Sequence, residues 1–416
     1  NVIGIKSTGK VINSGRITLN SDGNVTGISG TDATNTGTIT ITNHNGTGNN
    51  NVGVYGSTSA SNSTTGNINV SGHYYNAGLL SSKNVTNNGT ITVNGSYSDG
   101  INSTTANASS SLTHSTITVN GSNSNGIRGY VDASLSSYGS VSVSGNNNNG
   151  IYAVTGNASS TNGTVTMTGS YNHGVYAAAK NVTVSASTIK VLGGSHNNGV
   201  YAPSGNTAVS SSTTINVGES GKETYSSNGI NLTKSGATNS ITNTGINMVG
   251  NSNIGVRVAE PGNMTFSDNH MTMSGTGNYG LYLAPSKSIS SISRNSTTSS
   301  GSSNVGIFIS EEAEIPTIDG GSHTVNGTTS TGIDIHTKKA TTIKNATFNV
   351  NNYSSTGIRA GRTYQNTDTT PSLTIENSTF NILNNSGNGS TNDSNSASAV
   401  YLYNVTKTTV KPTTTF

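Results

Sequence analysis

The chain has 416 residues, of which only 8% are charged and 30% hydrophobic, with 52 Gly, 6 Pro, no Cys and no Trp. A formal charge of +3 spread over dispersed Lys and Arg gives no electrostatic footprint for nucleic acid and no polybasic membrane segment. The absence of Cys excludes disulfide scaffolds and thiolate metal sites, and the scarcity of charge and Pro argues against disorder.

From the first residues onward, a Gly followed by an aliphatic residue recurs after a polar turn. It stands at Gly4, Gly27, Gly53, Gly78, Gly100, Gly126, Gly150, Gly174, Gly199, Gly229, Gly255, Gly280, Gly306, Gly332 and Gly357, with a degenerate copy at Ala399-Val400-Tyr401. The mean spacing of about 25 residues is that of a solenoid. Before most anchors lies an alternating phrase: GTITIT (37–42), GNINVSG (66–72), GTITVNG (89–95), STITVNG (115–121), GSVSVSG (139–145) and GTVTMTG (163–169). Alternation of aliphatics with Thr, Ser or Asn is the pattern of a half-buried strand. A weaker third phrase follows the anchor, as in NVTV (181–184), MTF (264–266) and SLTI (372–375).

Three short strands per copy cannot bury their own apolar face. Stacking copies in parallel register solves this, so the expected fold is all-β: a parallel β-helix of about 16 coils of ~25 residues with three sheets. At about 4.8 Å per coil, one continuous rod over residues 1–416 would run on the order of 75 Å. Within each copy, Val175 and Ala177 are expected inside, and Gly174 and Tyr176 outside. Asn and Gly are expected at the corners, where left-handed backbone comes at little steric cost. Two spacings are long: Gly199 to Gly229, and Gly357 to Ala399. The second makes 361–397 an expected loop-bearing coil.

The iterated phrase N-x-G-T-I-x-V-x-G followed by Gly-[Ile/Val]-[Tyr/Phe] resembles passenger domains of Gram-negative (type V) autotransporter adhesins, most closely the large fusobacterial type. That resemblance implies a right-handed β-helix and a bacterial cell-surface adhesin that attaches to host cells or other bacteria. It also implies an extracellular location, with an outer-membrane barrel as anchor. No barrel-like strands occur here, so the chain reads as a fragment of a longer passenger, monomeric and without cofactor.

Two residues beyond each anchor lies one outward column. It includes Tyr55, Leu80, Asn102, Arg128, Tyr152, Tyr176, Tyr201, Asn231, Arg257, Tyr282, Phe308, Asp334 and Arg359. Rings interleaved with Arg suit a binding surface, since Tyr and Arg are enriched at hot spots and sugar faces pack on rings. The binding candidates are therefore Tyr152, Tyr176, Tyr201, Tyr282, Phe308, Arg128 and Arg257, for a surface glycan or protein. Ring-on-ring stacking between coils explains the same column as plain stabilisation. The outward Thr pairs (Thr38/Thr40, Thr90/Thr92, Thr116/Thr118, Thr164/Thr166) are broken by Asn, Ser and Lys190, which spoils an ice-binding lattice. Polysaccharide cleavage on a β-helix would need paired carboxylates. The densest acidic group is Glu311, Glu312, Glu314 and Asp319, with Asp334 and His336 one copy on. Nucleotide, zinc-protease and serine-hydrolase motifs are absent. The expected role is adhesive and non-catalytic, the alternatives being a polysaccharide-active enzyme or a ligand-free spacer.

Overall fold

A computed structural model describes residues 1–43, 48–111, 115–221, 223–260, 262–337, 339–352, 354–361, 372–382, 397–403, 405, 407–411 and 413–416. Among these there is no helix, and every strand pairing whose register is resolved is parallel, as expected of a β-solenoid with three sheets. The chain divides into two compact units, Asn1–Gly205 and Asn206–Phe416.

In the first unit the anchor strands form one stack, including Asp99–Ser103, Asn125–Gly129, Asn149–Ala153 and His173–Ala177. Their register puts Ile101 beside Ile127, Ile127 beside Ile151, and Ile151 beside Val175. A second stack contains Ala108–Ser110, Ala133–Leu135 and Ala158–Thr161. The alternating phrases form the third, from Arg16–Asn20 through Thr90–Ser96 to Thr188–Leu192, with Ile91, Ile117, Val141, Val165 and Ile189 in line. The copies anchored at Gly27 and Gly53 differ, since Val25–Asn35 and Val52–Asn62 run unbroken through the first two stacks.

The second unit repeats this plan. Its anchor stack includes Asn228–Leu232, Ile254–Val258, Tyr279–Leu283, Val305–Ile309, Thr331–Ile335 and Thr356–Gly361. The extra residues between Gly199 and Gly229 lie between Thr213–Val217 and Asn228–Leu232. Of the expected loop-bearing coil at 361–397, residues 362–371 and 383–396 lie outside the described residues.

There are about 14 turns rather than 16. The copy at Ala399 ends on a single bridge at Thr415 in place of a third strand. The core is a thin aliphatic shaft: Ile39, Ile91, Ile127, Ile151, Val165 and Val175 in the first unit are all fully buried. Phe266, Phe348 and Ile333 fill the same role in the second.

One facing departs from simple alternation. Val175 and Ala177 are buried and Tyr176 is half-exposed, as expected, but Gly174 is buried as well. A Cβ on Gly174 would lie 2.5 Å from the Gly199 carbonyl oxygen and 2.7 Å from Ile189 Cγ2. The anchors before it are alike: each would collide with the carbonyl of the next anchor, at 2.6 Å for Gly150 on Gly174. The register skips the anchor, pairing Asn149 with His173 and then Ile151 with Val175. A local kink therefore turns two successive residues inward. Gly is required here for close approach of backbones, not for left-handed conformation.

Candidate ligand-binding surface

From Gly53 onward the residue three positions before each anchor is left-handed, as are a few residues at other turns such as Ser137, Tyr138, Asn162 and Ala186. In the first unit these pre-anchor residues are Asn50, Tyr75, Tyr97, Asn123, Asn147, Tyr171 and His196, with φ between 53° and 59°. This sharp corner swings the chain from the third stack into the anchor strand. Asn tolerates it readily, whereas Tyr and His pay no lower a strain than about 1 kcal/mol each.

The next residue along is buried and polar throughout: Asn51, Asn76, Ser98, Ser124, Asn148, Asn172 and Asn197. Each side-chain oxygen accepts the backbone N–H of its counterpart one coil back. The bonds run from Ser98 N to Ser124 Oγ (3.0 Å), Ser124 N to Asn148 Oδ1 (2.8 Å) and Asn148 N to Asn172 Oδ1 (2.8 Å). The second unit has the same ladder through Ser227, Asn253, Asn278, Asn304, Ser330 and Ser355. Bonds that would otherwise be missing at the corner are thus satisfied inside the molecule.

These constraints fix the strand that follows, and so the outward column. In the first unit Arg128, Tyr152, Tyr176 and Tyr201 are direct register partners. Tyr152 and Tyr176 stack with centroids 5.1 Å apart and planes 5° from parallel, and Tyr176 and Tyr201 at 5.6 Å and 10°. All three rings are half-exposed. Burial, then the neighbouring phenols, push the Tyr176 hydroxyl above its ordinary pKa. Arg128 Nη1 donates to Asn102 Oδ1 at 3.1 Å, which points it along the column.

A flanking row completes this face. His173 packs 5.0 Å from the Tyr176 ring and 5.1 Å from Tyr201, and burial lowers its pKa to about 4, so it is neutral near pH 7. Asp99 accepts from Asn102 Nδ2 (2.6 Å) and Asn125 Nδ2 (2.7 Å), and burial raises its pKa to about 6.

In the second unit the remaining candidates also fall in one column, Arg257 beside Tyr282 and Tyr282 beside Phe308. Tyr282 and Phe308 stack at 5.1 Å, and Tyr279 meets both edge-on at 5.4 Å. Arg257 Nη1 donates to Asn231 Oδ1 at 3.3 Å. The column continues into Asp334, which is buried and receives Arg359 Nε at 2.9 Å and His336 Nε2 at 3.0 Å. Burial pushes the Asp334 carboxyl up, but the bonds from Arg359 and His336 prevail and hold it below the usual range.

The acids that the sequence groups together are dispersed by the fold. Glu312 and Glu314 border an open depression with Ser286, Lys287, Ser288 and Lys339. Asp319 instead pairs with Lys344 at 3.2 Å and Asn345 at 2.7 Å. Among the described residues no three His, Asp or Glu side chains come together as metal ligands would.

Sequence reading missed the corner rings. Tyr75, Tyr97 and Tyr171 are 56%, 48% and 54% exposed, the most open rings near the anchor strands of the first unit apart from Tyr138. Their constant offset from the anchor Gly was the available signal. No family model, curated protein or solved structure matches the chain.

Proposed function

We propose that this chain is a segment of a bacterial cell-surface adhesin passenger that presents ring-bearing faces to a glycan or protein on host cells or other bacteria. In this reading it is held outside the cell by an outer-membrane anchor, and its work is contact rather than catalysis. The observation that carries it is the stack of Tyr152, Tyr176 and Tyr201, three near-parallel rings left half-open to solvent beside Arg128. A row of ring edges bearing phenol hydroxyls suits sugars and protein hot spots alike. The buried shaft and the corner ladder hold the solenoid independently of these rings, so a second role for them is affordable in stability.

The test is the triple substitution Tyr152→Ser, Tyr176→Ser and Tyr201→Ser. Losing the two tyrosine stacks and the contacts of His173 with Tyr176 and Tyr201 removes about 2–6 kcal/mol of ring packing, so circular dichroism first verifies that the variant is folded. Attachment to epithelial cells or to other bacteria should fall by about tenfold or more. Undiminished attachment by the folded variant rejects this face as the contact surface.

A further inference from the structure

The corner three residues before each anchor is lined in the first unit by Asn50, Tyr75, Tyr97, Asn123, Asn147, Tyr171 and His196. Two ring pairs stand on it. Tyr75 and Tyr97 have centroids 5.4 Å apart with Tyr74 at 6.2 and 6.0 Å, and Tyr171 stacks on His196 at 4.9 Å with planes 6° from parallel. Between the pairs come the exposed Asn123 and Asn147. The corner segments 95–97, 121–123, 145–147 and 169–171 contain no charged residue.

Three features separate this line from structural packing. Its rings are exposed, so they contribute little to the core. Its backbone is left-handed, which Tyr adopts at a cost that Asn, present at the same corner in neighbouring copies, largely avoids. These four corner segments offer amides and hydroxyls but no charge, which fits an uncharged, hydroxyl-rich ligand and disfavours an acidic or basic one. Rings at each end and amides between them, repeated at the coil spacing, fit a chain-like ligand lying along the stack.

We infer that this corner is a second binding site, taking a linear uncharged glycan. The pyranose faces pack on the Tyr75/Tyr97 and Tyr171/His196 pairs, and the hydroxyls between them bond to Asn123 and Asn147. The inference rests on the adhesive reading above but uses a different set of residues.

The experiment measures binding of uncharged linear oligosaccharides, graded by length, to the purified protein by calorimetry and on immobilised glycans. Affinity should rise with length until both ring pairs are spanned, and should not change with salt, since no charge is neutralised. The variants Tyr75→Asn with Tyr97→Asn, and Tyr171→Asn with His196→Asn, install the residue that neighbouring copies carry. Each should weaken binding of the longer oligosaccharides about tenfold, while the melting temperature holds or rises because the left-handed strain is relieved. A fall in melting temperature with unchanged affinity assigns the rings to packing and overturns the site. So does binding that survives both corner variants but is lost on substituting Tyr152, Tyr176 and Tyr201; that result leaves the adhesive reading standing. Attachment to a protein receptor with no affinity for any of these oligosaccharides overturns the glycan site in the same way. If the unaltered protein attaches to neither cells nor glycans, the adhesive reading itself fails.

Discussion

The anchor glycine is the residue on which coil spacing depends. Any side chain at Gly174 would have to displace the backbone of Gly199, because the Cβ and the carbonyl oxygen would be 2.5 Å apart. Gly174→Ala should therefore lower stability by about 2 kcal/mol or more, in the range of overpacked cores. Gly9 is the control: a Cβ there meets nothing within 4 Å, and Gly9→Ala should be neutral or slightly stabilising. Denaturant midpoints for the two variants measure the contrast, and equal effects would remove the close-approach account. A second residue sets an acid limit in the second unit. His323 is fully buried against Phe348 at 5.0 Å, with Nδ1 bonded to Thr297 at 2.9 Å and Nε2 without a partner. Burial lowers its pKa from 6.5 to about 4. The unfolded chain thus takes up the proton first as pH falls. Stability is full above about pH 6.5 and declines through the folded pKa, by about 3 kcal/mol in all. His323→Phe, extending the Phe348–Phe380 stack, should flatten the pH dependence of unfolding between pH 6.5 and 4; an unchanged slope would place the acid sensitivity elsewhere.

Among the elements, the third strand of each copy was the most legible. GTITVNG alternates cleanly because its Ile and Val line the shaft while Thr and Asn face out, as the burial of Ile91 and Val93 shows. The second strand was barely visible. Ala108–Ser110 and Ala158–Thr161 fill their inward positions with Ala and Ser, so hydrophobic periodicity nearly vanishes although the strands are present. The corner was misread for a related reason: its buried row is polar, and residues such as Tyr75 hold a conformation that composition assigns to Gly or Asn. That polar row is testable at Asn172, whose Oδ1 accepts Asn148 N at 2.8 Å and whose Nδ2 donates to Gly145 O at 3.0 Å. Asn172→Ala strands a buried N–H and a carbonyl, at a cost of about 2–4 kcal/mol. Asn172→Ser should lose about half as much, because Ser98 and Ser124 accept the same bond at their own corners. Equal losses for Ala and Ser would mean that the ladder contributes shape rather than hydrogen bonds.

At the scale of the molecule, each unit is a stack in which a copy meets only its neighbours, so stability accumulates copy by copy. The consequence is sharpest where adjacent copies are nearly interchangeable. Around residues 126–149 the register partners on either side are alike: Ile101, Ile127 and Ile151 in the anchor stack, and Ile117, Val141 and Val165 in the third. Deleting residues 126–149 sets Gly100 against Gly150 and Ile117 against Val165, and the corner ladder passes from Ser124 directly to Asn172. The shortened chain should fold with an unchanged strand signature in circular dichroism and lose only one copy's share of stability. Deleting the half copy 126–137 instead brings unlike strands into register and turns apolar residues outward, so it should fail to fold. The whole-copy deletion also removes Asn147 from the corner and brings the Tyr75/Tyr97 and Tyr171/His196 pairs one coil closer, by about 4.8 Å. If one linear ligand engages both pairs, the shortest oligosaccharide that binds at full strength becomes correspondingly shorter in the deletion protein. A length threshold that does not move would show that the two ring pairs act separately.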